Sequence, residues 1–225
     1  MPYPFAHPAA VLVLARPMGR LAVPSALAIG SVAPDFWYFA PFVTREASHS
    51  LAGLFWFCVP LGLATYALFH LLLKQPLIAL LSPRLGSFSV RGLPVAPWYA
   101  IVASLLVGAL THIVWDGLTH SEGQHWLQHA STLAGSAILA WWIWRRLRRA
   151  SAPPQAPRLS RQARACVIAA LLGVMAIAAL WSADSGLAFD RSALRHLLRT
   201  AGIGALQGLG VALLVYCTLF RRKLP

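Results

Sequence analysis

Residues 51–73 read LAGLFWFCVPLGLATYALFHLLL, a run from Leu51 to Leu73 without one charged side chain. The hydrocarbon core of a bilayer asks for about 20 mostly apolar residues of helix, so this run reads as a membrane span. Outward from it the signal repeats. Further spans are expected at Pro97–Gly117, at Ser131–Trp144 extended backwards through Trp126–Ala130, at Ala165–Ala183 and at Ala201–Phe220. A chain of 225 residues that is 58% hydrophobic and 11% charged exceeds what a water-soluble core absorbs. The expected fold is therefore an all-α integral membrane protein of about five transmembrane helices, preceded by a hairpin of two short ones.

A formal net charge of +13 would suit a nucleic-acid binder, but its distribution points elsewhere. Lys74, Arg84 and Arg91 fall between the first two spans. Arg145, Arg146, Arg148, Arg149, Arg158, Arg161 and Arg164 fall between the third and fourth, and Arg221, Arg222 and Lys223 follow the fifth. With five alternating spans these cations share one face, which the positive-inside rule makes cytoplasmic. The expectation is a multi-pass protein of a bacterial inner membrane with its C-terminus in the cytoplasm, partnered by membrane lipids and not by nucleic acid. Cys58, Cys166 and Cys217 stand singly inside apolar runs and read as buried apolar residues.

Before the first span, Phe5–Ala15 and Val23–Val32 read as short helices joined by Arg16–Arg20. Each is too short to cross, which favours a re-entrant hairpin over one tilted span near Leu21–Ala40. No signal peptide is evident, because the start lacks a basic segment and Pro8, Pro17 and Pro24 break the apolar stretch. The organisation expected is a membrane core over residues 1–149, a basic Pro-rich cytoplasmic linker over 150–164 and a two-span hairpin over 165–225. In the last span Gly204 and Gly208 form a small-residue face that admits a close helix, from this chain or from a second copy in a homo-oligomer.

The chemistry concentrates early. Of six carboxylates, Asp35, Glu46, Asp116 and Glu122 lie in the first 122 residues close to histidines. His112, Asp116 and His120 are spaced i, i+4, i+8 and so drift only about 40° per step around a helix. Because consecutive spans are antiparallel, Asp35 and His49, just before the first span, can meet His112, Asp116 and His120 at the end of the second. Such ionisable groups at a span's end are costly unless they pair or bind a cation. Two carboxylates with several imidazoles suit zinc or a similar divalent metal holding an activated water. A hydrogen-bonded Asp–His staple between helices, without enzymatic activity, uses the same residues and stays open. His70, alone deep in the first span, reads as a packed helix residue. Arg191, Arg195, Arg199 and His196 form a stripe suited to lipid contact. No nucleophile elbow or phosphate-binding Gly-rich loop is present.

Phe5-Ala-His7-Pro, Pro34-Asp35, Ser48-His49-Ser50 and His112-Ile-Val-Trp-Asp116 together resemble the bacterial membrane family called domain of unknown function 4184, over most of residues 1–145. That family is in turn similar, in the order of its polar residues, to YdjM-type membrane-bound metal-dependent hydrolases and distantly to zinc-dependent phospholipase C. The resemblance implies His7, Asp35, His49, His112, Asp116 and His120 as metal ligands, with Asp35 and Asp116 also in catalytic roles. It implies hydrolysis of a phosphate ester, lipid substrates included. The further His-x-x-x-Glu ligand pair of the distant relatives has no counterpart after His120, where Glu122, His125 and His129 stand instead.

Overall fold

A computed structural model describes residues 6–40, 42–81, 96–119, 125–150, 159–183 and 191–221, and every regular element among them is helical. The chain divides into two compact units, one of residues 1–70 and 91–150 and the other of 71–90 and 151–225. The first holds most of the expected core. Residues 71–90, expected with that core, group with the C-terminal part.

The first unit opens with α1 (Pro8–Met18) and α2 (Pro24–Gly30), each carrying proline in its first turn, where no N–H is required. At 11 and 7 residues neither is long enough to cross a bilayer, and the chain turns at Ser31 and Val32 into a 3-10 segment, Ala33–Phe39. The short-helix hairpin is thus what forms, and a single span across Leu21–Ala40 is not. Two glycines set how closely it docks. A Cβ on Gly108 would strike the Leu27 carbonyl, and one on Gly30 the Leu105 backbone, so α2 lies directly on the backbone of α5 (Trp98–Thr119). Val23, Ala26, Tyr66, Ala100 and Leu105 pack into one apolar cluster alongside. Ser104 pins the hairpin's second arm: its Oγ accepts the Val23 N–H at 2.9 Å and donates to the Leu21 carbonyl at 2.9 Å. Ser104→Ala would leave that buried N–H unsatisfied, an expected loss of about 1–3 kcal/mol. It would be read as a lower thermal midpoint in detergent. An unchanged midpoint would mean that packing alone holds the hairpin.

α3 (Arg45–Ser48) is a single turn, capped by Thr44, whose Oγ1 accepts the Ala47 N–H at 3.2 Å. The long helix α4 (Leu51–Leu81) follows, capped by Ser50 through the Gly53 N–H at 2.9 Å. Two π-turns interrupt α4, at Leu54–Cys58 and Phe69–Leu73. Each contains the residue four before a proline, Trp56 before Pro60 and Leu72 before Pro76. A proline ring clashes with that carbonyl and offers it no N–H, and a widened turn relieves both problems without ending the helix. His70, in the second π-turn, is hydrogen-bonded to Ser25 Oγ at 2.9 Å and lies against the Tyr66 ring. It is a packed helix residue, as expected.

Among the described residues, four helices are long and apolar enough to cross a membrane: Leu51–Leu81, Trp98–Thr119, Arg161–Ser182 and Thr200–Phe220. Their outer faces carry exposed large apolar side chains, among them Leu63, Trp98, Leu118, Leu172, Trp181 and Val215, which suit lipid and not water. The third expected span differs. Its helix α6 (His125–Arg149) forms and has the length, but Gln128, His129, Ser131, Thr132 and Ser136 dilute its first half and arginines fill its end. At that end Arg145, Arg146 and Arg148 stack on Trp141, Trp142 and Trp144 at 5.2, 4.9 and 4.4 Å, the pairing of a helix end at a lipid–water boundary.

In the second unit α7 (Arg161–Ala183) packs along α8 (Arg191–Arg221). Ser160 caps α7 through the Ala163 N–H at 3.1 Å, so the helix begins inside the stretch expected as linker, whose residues 151–158 lie outside the described ones. Gly204 and Gly208 receive Ser182 and Ala178 of α7, so the chain itself occupies the small-residue face. α8 begins ten residues before the expected span, and the side chains of Arg191, Arg195, His196 and Arg199 lie outside the described set. Tyr216 Oη donates to the Pro76 carbonyl at 3.1 Å, which accounts for the end of α4 grouping with this unit. Cys58 and Cys217 are buried as expected, whereas Cys166 is exposed on α7; in a membrane helix a small apolar residue faces lipid as readily as protein.

Candidate metal centre

Four separate stretches of the first unit converge on one point. His7 immediately precedes α1, where Pro8 starts the helix and fixes its direction. Asp35 is buried in the 3-10 segment, which begins at Ala33-Pro34. His49 occupies the tight link between α3 and α4, held on either side by the Thr44 and Ser50 caps. His112 and Asp116, one turn apart in the last part of α5, are both buried. The start of α4 and the end of α5 therefore meet as antiparallel packing requires.

The distances define a cluster of donor atoms. His49 Nε2 lies 3.6 Å from Asp35 Oδ1 and 3.7 Å from Asp116 Oδ2, and His112 Nε2 lies 3.7 Å and 3.8 Å from the same two atoms. His7 Nε2 stands 3.8 Å from Asp116 Oδ1, and its ring stacks on that of His112 with centroids 3.9 Å apart. The donor atoms of His7, Asp35 and His112 lie within 4.8 Å of one another, as do those of His49, His112 and Asp116. All of these imidazole–carboxylate separations are longer than hydrogen bonds. They are close to the roughly 3.4 Å expected between neighbouring ligands placed about 2.0–2.1 Å from a tetrahedral zinc ion.

The backbone sets which nitrogen faces inward. His112 Nδ1 lies 2.8 Å from the Ser31 carbonyl and His49 Nδ1 lies 3.0 Å from the Arg45 carbonyl. A carbonyl can only accept, so His112 Nδ1 carries the hydrogen and donates it; His49 Nδ1 lies between the Arg45 carbonyl and, at 2.9 Å, Ser48 Oγ, which can accept from it or donate to it. The Nε2 of both rings points at the carboxylates, and for His112 the backbone bond at Nδ1 fixes the ring in the way that orients metal-binding histidines. His112 thus presents one lone pair to both groups of donors, and the two groups describe one shared centre.

Burial, and after it the neighbouring Asp116, push the Asp35 carboxyl up to about 7, with Arg45 partly opposing the shift. Arg45 donates from one guanidinium nitrogen to Asp116 Oδ2 at 2.8 Å while its side chain stays about one-third exposed. Two carboxylates in such a small volume thus share one nearby cationic side chain, Arg45, among the described residues.

The profile of a protein family described as domain of unknown function DUF4184 matches residues 1–126 and 123–218. The chain belongs to that family. No curated protein and no solved structure matches it. The first stretch matched by the DUF4184 profile contains every member of the cluster, and the second takes in α6, α7 and nearly all of α8.

Of the six ligands expected in this DUF4184 chain, the structure brings together His7, Asp35, His49, His112 and Asp116; His120 lies outside the described residues. Glu122 also lies outside them, as does the side chain of His125, while His129 is exposed on α6. Glu46 is exposed as well, its carboxyl held below the usual range by hydrogen bonds to its own backbone and to Thr44. Two participants were missed. Arg45 could have been noticed as the single basic residue between Arg20 and Lys74, four positions before His49. Ser31 takes part only through its carbonyl, for which its side chain gives no signal.

Proposed function

We propose that this protein is a membrane-embedded, metal-dependent hydrolase of phosphate esters, lipids included. The observation that carries the reading is the convergence of three imidazole Nε2 atoms and two carboxylates at 3.6–3.8 Å, with these side chains largely buried. A structural staple would close such pairs to hydrogen-bond length, and here they stand apart by the spacing of co-ligands. The order of the polar residues, with its similarity to YdjM-type hydrolases and more distantly to zinc-dependent phospholipase C, supports the same chemistry by analogy.

His7, His49 and His112 would hold the cation through Nε2, with Asp116 as carboxylate ligand and Asp35 as ligand or as the base that orients water. Zinc fits this mixed nitrogen and oxygen donor set. When bound, the cation supplies Lewis acidity and lowers the pKa of water enough for it to attack near neutral pH. Arg45 steadies Asp116 with one nitrogen and turns its exposed edge to an anionic phosphate, the group a planar guanidinium recognises best. The distribution of Lys and Arg supports a bacterial inner membrane, a cytoplasmic C-terminus and a site at the outer face.

The test is the metal content of detergent-purified protein by plasma mass spectrometry, beside the double variant His112→Ala, Asp116→Ala. Close to one zinc or manganese per chain, lost in the variant, is expected, followed by turnover in a phosphodiesterase and lipid-phosphatase screen. Absence of metal from both proteins after incubation with divalent ions would overturn the reading in favour of a helix staple.

A further inference from the structure

A groove of about 650 Å³ lies beside the cluster, lined almost wholly by apolar side chains from the 3-10 segment and from α4. Phe36 and Phe39 form its upper wall, and Trp56, Pro60, Ala64 and Thr65 form the wall along the helix. The last four repeat at near-helical spacing, so they make one stripe down a membrane-spanning helix. The same 3-10 segment that gives Asp35 to the cluster gives the next residue, Phe36, to the groove.

Depth and surroundings name the occupant. Measured at 1.5 Å per residue from His49, the stripe runs from roughly 10 Å to roughly 24 Å down the helix. It starts just below the polar cluster and continues into the depth occupied by hydrocarbon. Trp56, Pro60 and Ala64 are exposed there. What fills an apolar groove at that depth is an acyl chain, and its volume lies in the range of small-molecule sites.

Resting on the hydrolase reading above, we infer that this groove is the acyl-chain subsite of the substrate: a membrane phospholipid whose phosphate reaches the His–Asp cluster and Arg45 while one tail lies along Trp56–Thr65. The geometry requires an orientation, with the glycerol end near Phe36 and Phe39 and the chain terminus near Ala64 and Thr65. A phosphate ester without a tail would lack that anchor.

The experiment uses the full chain in vesicles of phosphatidylethanolamine and phosphatidylglycerol carrying traces of phosphatidylglycerol with a diazirine either near the glycerol or at the end of one acyl chain. After irradiation, adducts are mapped by mass spectrometry. The upper-chain probe should mark Phe36, Phe39 and Trp56, and the terminal probe Ala64 and Thr65, each several-fold above the lipid-facing side of α7. Ala64→Trp, which places a large ring in the groove from an exposed position, should bring the enrichment down to the α7 level, and Thr65→Phe should act in the same direction. Labelling no higher than on α7, labelling indifferent to the probe's position, or labelling unchanged in both filled variants would overturn the subsite. The double variant His112→Ala, Asp116→Ala separates the two readings. It should keep the groove labelled, so loss of metal without loss of labelling tests the cluster alone, and loss of labelling with metal retained in Ala64→Trp tests the groove alone.

Discussion

If the cluster holds a cation as proposed, Gly108→Leu is expected to lower the metal content without altering a single ligand. At Gly108 even a Cβ would collide with the Leu27 carbonyl, which belongs to backbone and cannot rotate away. Leucine must therefore push α2 off α5, and with it the Ser31 carbonyl that holds His112 and the segment that carries Asp35. Overpacking of this kind costs about 1–3 kcal/mol in stability, and loss of an orienting partner lowers metal affinity by about 10–100-fold. Gly117→Leu supplies the control. Gly117 lies next to Asp116 on the same helix, yet nothing stands within 4 Å of an added Cβ there, so metal content should stay at the unmodified level. Equal metal in both variants would show that the cluster does not depend on the hairpin's close docking.

Arg45→Met is expected to give the opposite division, with metal retained and turnover lost. The guanidinium contributes one charge-assisted hydrogen bond to Asp116 and no ligand atom, so its removal leaves the three imidazoles in place. A charge-assisted bond of about 1.5–3 kcal/mol to a substrate phosphate corresponds to a fall in kcat/KM of about 10–150-fold. Arg45→Lys should recover part of it, because the charge returns without the planar fork. If Arg45→Met hydrolysed a phosphate ester as fast as the unmodified protein, Arg45 would have no contact with substrate, and a neutral ester would become the better substrate class.

Much of this was legible in the sequence because lipid is a demanding solvent. An uncharged run such as 51–73 has few alternatives to a membrane helix, and the i, i+4 spacing of His112 and Asp116 leaves little choice of face. Antiparallel packing of successive spans then brings His49 to the same end. Details that depend on backbone were not legible. The π-turns ahead of Pro60 and Pro76 follow from proline chemistry, but a sequence does not say whether a helix will break, kink or widen there. The Ser31 and Arg45 carbonyls that orient the imidazoles have no side-chain signature. For α6, the span expected over Ser131–Trp144 forms a helix whose first half is too polar to match the others.

The wide spacing of the cluster along the chain also sets an order of assembly. His7 and Asp35 are synthesised long before His112 and Asp116, which come at the far end of the second long apolar helix. Until that helix is in the membrane, the hairpin has neither Gly108 to dock against nor partners for its buried ligands. The hairpin of α1 and α2 can therefore dock only once both long helices that follow it in the chain are in place. On the metal-centre reading, loading of a cation would follow completion of α5, and a chain halted before that point should be an early target for membrane proteases.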